Sequence, residues 1–108
     1  MASAEIYHKQ VKVQVENFLQ DFWILEDISS GDLFWRTGFQ TDSRRAVVKI
    51  WVQRAATAPE ILFVPPDWDI SINGQRIKPL AHESIENLHG KIVELMYKDY
   101  TFVLHFEP

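Results

Sequence analysis

Cysteine is absent from this 108-residue chain. That excludes a disulfide framework, a thiolate zinc site, an iron–sulfur cluster and a cysteine nucleophile. Long apolar runs are absent as well. The longest covers only a few residues, far below the ~18–20 that a membrane-spanning helix needs. No basic start followed by an apolar stretch opens the chain, so no signal peptide is expected, and a soluble, cytoplasmic protein is. Glycine is scarce, and Gly31, Gly38, Gly74 and Gly90 each stand alone. A glycine-rich phosphate-cradling loop is therefore missing. Ser29, Ser30, Ser43, Ser71 and Ser84 fit no nucleophile elbow. No spacing pairs two carboxylates across a cleft. An enzyme is not the leading expectation, and no cofactor is implied.

What the chain does have is a normal globular balance, 46% hydrophobic and 24% charged, which argues against disorder. The length suits one domain over residues 1–108. Trp23, Trp35, Trp51 and Trp68 are spread along it, and large rings supply much buried area per residue.

The net charge is −4, which speaks against general nucleic-acid binding. Its distribution says more. Residues 1–32 and 59–108 are acidic. Residues 33–58 carry Arg36, Arg44, Arg45, Lys49 and Arg54 against Asp42 alone. Positive charge is thus gathered into one local patch.

The first segment predicts a helix from Ala4 to Leu25. Ser3 can cap it, and Val11, Val15, Phe18 and Phe22 form one helical stripe. Val11, Val13 and Val15 also alternate, as a strand would, and valine is a good strand former. On that reading a strand precedes a shorter helix from Glu16. Ser29-Ser30-Gly31-Asp32 marks a turn. Leu33 to Phe39 and Ala46 to Gln53 read as an antiparallel hairpin, and Glu60 to Val64 as a short strand stopped by Pro65 and Pro66.

Asn73-Gly74 is the favoured two-residue hairpin turn. It sets Ile72 against Gln75, Ser71 against Arg76, Ile70 against Ile77 and Asp69 against Lys78. Trp68, Ile70, Ile72 and Ile77 then share one face. Leu80 to Leu88 reads as a short helix stopped by Gly90. Lys91 to Tyr97 and Tyr100 to Phe106 form a last hairpin about Lys98-Asp99. The expected fold class is α+β: an N-terminal amphipathic helix on a mainly antiparallel sheet of about five to six strands, with one short helix before the last hairpin.

Two constellations could carry chemistry. On a helix His82, Glu86 and His89 fall at i, i+4 and i+7, where two imidazoles and a carboxylate could hold a divalent metal. The spacing is not that of a zincin, and the same residues could line the wet flank of a surface helix. The basic segment is the other. Its arginines interleave with Phe34, Trp35, Phe39 and Trp51. Arginine forks and flat rings would suit single-stranded nucleic acid. Such binding usually comes with a basic domain, so charge pairing within or between molecules is preferred. His8 reads as a helix surface residue. His105 reads as an outer-face strand residue beside Val103.

Large residues lie on both faces of the expected strands. Either an apolar patch is left over for a partner, or the sheet forms a sandwich that buries both faces itself. The Ile72-Asn73-Gly74 turn, followed by Gly90-Lys91-Ile92-Val93 and a final apolar strand, resembles the end of a forkhead-associated domain. The likeness covers barely a third of the chain. Residues that would read a phosphothreonine are not recognisable, and a long leading helix is foreign to that fold, so the likeness is set aside.

The leading functional expectation is a non-enzymatic protein–protein interaction or regulatory module, with self-association as one form of it. Its expected contact residues are Trp35, Arg36, Arg44, Arg45 and Trp51. The alternatives are a small metal-binding protein or enzyme using His82, Glu86 and His89, and a small-molecule-binding domain with an aromatic pocket. A protein partner or a second copy is expected, not nucleic acid or a membrane.

Overall fold

The computed structural model describes residues 2–18, 21–27, 29–37, 45–51, 60–77 and 87–107. Ten strands follow one another: β1 (Ala2–His8), β2 (Val11–Phe18), β3 (Phe22–Glu26), β4 (Leu33–Thr37), β5 (Arg45–Trp51), β6 (Glu60–Phe63), β7 (Asp69–Ile72), β8 (Gln75–Ile77), β9 (Ile92–Tyr97) and β10 (Tyr100–Phe106). They form two antiparallel sheets. One has six strands in the order β2-β1-β10-β9-β7-β8, and the other has four in the order β4-β3-β5-β6.

The expected α+β class is therefore corrected: among the described residues every regular element is a strand. The segment read as an N-terminal helix is instead β1, β2 and most of β3. The helical stripe of Val11, Val15, Phe18 and Phe22 was a coincidence of spacing across two strands. What wins is pairing. β1 lies between β2 and β10, and Ala2, Ala4 and Ile6 alternate into the core. The break between β1 and β2 is a turn at Lys9 and Gln10, with φ of 53° and 67°. Neither residue is a usual turn former, so nothing in the sequence advertised it. The short helix expected over 80–88 falls mostly outside the described residues. Among the described residues no helix is long and apolar enough to cross a membrane.

The β4 and β5 segments are strands as expected, but they do not pair with each other. β3 lies between them, with Ile24 opposite Trp35 on one side and Val48 on the other. A segment expected to be helical thus supplies the central strand of the smaller sheet.

The Asn73-Gly74 hairpin keeps its expected register, with Ile70 opposite Ile77, Ser71 opposite Arg76 and Ile72 opposite Gln75. Asn73 and Gly74 take φ of 50° and 82°, as this turn requires. Trp68 and Ile70 are buried, and Ile72 and Ile77 pack against the same cluster. Lys78 lies outside the described residues. Asp69 is paired with Arg76. The last hairpin sets Tyr97 against Tyr100 and runs to His105 opposite Ile92.

One core cluster joins the sheets. Ala2, Ala4, Ile6, Val93, Leu95, Phe102, Leu104 and Phe106 come from the larger sheet, and Phe22, Ile24, Leu33 and Ile61 from the smaller. Aromatic rings run through it. Trp68 stacks on Tyr97 with centroids 5.0 Å apart, and the Trp35 ring meets Phe102 edge-on at 5.9 Å. The sheets thus bury their own inner faces, which is the sandwich solution.

Candidate functional site

The expected contact residues do not all fall on one surface. Trp35 and Arg36 are neighbours on β4, so their side chains leave opposite faces. Trp35 lies between the sheets, where its Nε1–H donates to Gln14 Oε1 at 3.1 Å. Arg36 is exposed and stands opposite Trp23. Arg45 opens β5 opposite Glu26, and Trp51 ends it opposite Glu60. Arg44 lies outside the described residues.

His82 and Glu86 of the expected metal set also lie outside them. His89 is exposed beside Gly90, with Nδ1 3.1 Å from the Glu107 carbonyl oxygen. Among the described residues no group of three metal-capable side chains converges.

The structure points to a different surface. β2 is an outer edge of the six-stranded sheet. Its Val11, Val13 and Val15 are 64%, 50% and 54% exposed, more than the other large apolar side chains described. An edge strand also presents a row of backbone N–H and C=O groups along its outer side. The pairing of β2 with β1 shifts between Ile6 and Tyr7: Ile6 faces Gln14 and Tyr7 faces Lys12, leaving Val13 as an extra residue. Such a bulge bends the edge and restrains indiscriminate pairing. From Gln14 to Phe18 the register is regular.

A polar network borders this edge. Glu5 Oε2 accepts a hydrogen bond from the Tyr7 hydroxyl at 3.0 Å and lies 3.0 Å from Lys12 Nζ. Glu5 Oε1 is 2.9 Å from His105 Nε2. The Lys12 ammonium, the Tyr7 hydroxyl and His105 together pull the Glu5 carboxyl from its ordinary 4.5 down to about 2. The same pairing raises Lys12. His8 is not a helix surface residue, because it ends β1 and stacks on Tyr100 at 4.3 Å.

Sequence reading missed both features. The valine alternation was visible and is the signal that could have found the edge. The Glu5–His105 contact joins the first and last strands, and no local pattern announces it. No family model, curated protein or solved structure matches the chain.

Proposed function

We propose that the chain is a non-enzymatic interaction module that receives an extended segment of a partner polypeptide along β2. The observation that carries this reading is the trio Val11, Val13 and Val15 standing exposed on a sheet edge. A strand added there gains main-chain hydrogen bonds for affinity and side-chain contacts for selectivity. The partner is a protein, and a second copy offering its own β2 is the self-associating form. Lys12, held by Glu5, and the bulge at Val13 limit which strands can dock.

The test is sedimentation velocity over a concentration series, together with a search of displayed peptides for ligands. Wild-type protein should dimerise or select a peptide, and Val13→Lys with Val15→Lys should abolish that. Both sites are exposed, so the variant should keep its fold. A wild-type monomer that selects no peptide refutes the proposal, as does association that the lysines leave unchanged.

A further inference from the structure

Three turns meet at one end of the sandwich. The Lys9-Gln10 turn is tied to the last hairpin by the Lys9 N–H, which donates to the Asp99 carbonyl oxygen at 2.8 Å. Lys98 Nζ reaches the third turn and lies 3.7 Å from where a Cβ on Gly31 would stand. It also sits over the Tyr97 ring, 5.1 Å from the centroid. Between the two hairpin tips is an open cavity of about 360 Å³ lined by Lys9, Gln10, Lys98, Asp99 and Thr101.

The backbone sets these residues apart. Among the described residues, five that are not glycine have positive φ: Lys9, Gln10, Asn73, Asn87 and Lys98. Asparagine tolerates that conformation, whereas a long side chain adopts it at a cost. The three that break this preference all line the one cavity. Turn stability alone would favour Asn or Gly at each position. Strained residues gathered at a single concavity point to a use for their side chains.

The lining says which ligand they suit. Among the lining residues Lys9 and Lys98 carry ammonium groups, Gln10 an amide donor and Thr101 a hydroxyl. Together these match an oxyanion with several acceptor oxygens. Asp99 adds one carboxylate to the lining, which disfavours a bare anion and suits a hydroxyl beside it. We infer that this cavity binds a small phosphate monoester carrying a neighbouring hydroxyl, held by Lys9 and Lys98. The site is separate from the docking edge proposed for β2 and stands or falls without it.

The test is an amide NMR titration of the ¹⁵N-labelled full chain with glycerol 3-phosphate and with inorganic phosphate, using sodium chloride at matched ionic strength as control. The ester should give saturable shifts at Gln10, Gly31, Asp99 and Thr101, and it should bind more tightly than inorganic phosphate. The Lys9→Asn, Lys98→Asn double variant relieves both strained turn positions. It should melt at a higher temperature yet bind the ester at least about tenfold more weakly, the loss of two charge-assisted contacts. Higher stability with weaker binding separates a ligand role from a folding role. Shifts that never saturate, equal titration of wild type and variant, or an ester no better than inorganic phosphate would each overturn the inference.

Discussion

Glu5 shows how much one side chain can organise on an exposed sheet face. Tyr7 reaches it from its own strand, Lys12 from β2 and His105 from β10. Because these partners favour the carboxylate, its pKa in the folded chain is about 2 against an ordinary 4.5. A carboxyl with a depressed folded-state pKa stabilises the fold fully above its unfolded value and ceases to do so as pH falls through the folded one. Denaturant unfolding of wild type and Glu5→Gln should therefore differ most above about pH 4.5 and converge near pH 2. The pair with Lys12 is open to solvent, so added salt should narrow the gap. A difference that stays constant with pH would mean that Glu5 acts only by packing.

At the scale of elements, legibility followed turn chemistry. Asn73-Gly74 is the pair that a tight hairpin demands, and the β7–β8 register followed from it correctly. Lys9-Gln10 does the same job with the wrong residues, so β1 and β2 merged into one apparent helix. The strand character of Val11, Val13 and Val15 was present in the alternation. It lost to a helical stripe because nothing local shows that β1, its neighbour in the sheet, is itself held by a strand almost a hundred residues away. β10 was read with its observed limits, Tyr100 to Phe106. The fact that it pairs with β1 was not readable. The same limit applies to the site: the Glu5 network and the hairpin-tip cavity both need strands brought together from opposite ends of the chain. Gly74→Ala tests the turn argument. A Cβ there meets nothing within 4 Å, so the whole cost comes from the left-handed backbone, about 1–2 kcal/mol. Thermal melts should show that loss, and a neutral result would mean that the turn relaxes to another type.

For the whole molecule, the question is whether the two sheets unfold together. Phe102 stands at their junction. It is fully buried, stacks near Trp68 and Tyr100, and receives the edge of Trp35 from the smaller sheet. Phe102→Ala would remove a large ring from a packed interior, which costs about 3–5 kcal/mol. A domain of this size has only about 5–15 kcal/mol in total, so the variant should lose a large share of its stability. Trp35→Phe keeps a ring at the junction and gives up the hydrogen bond to Gln14, a loss of about 1 kcal/mol. Two probes then decide whether the core acts as one. Tryptophan fluorescence reports on both sheets, because Trp23 and Trp35 sit in the smaller one and Trp68 packs on the larger. Far-UV circular dichroism reports the strands as a whole. If the shared core couples the sheets, the two transitions coincide in wild type and shift together in both variants. If the sheets were held independently, Phe102→Ala would split the unfolding curve, with one sheet melting early and the other near its wild-type midpoint.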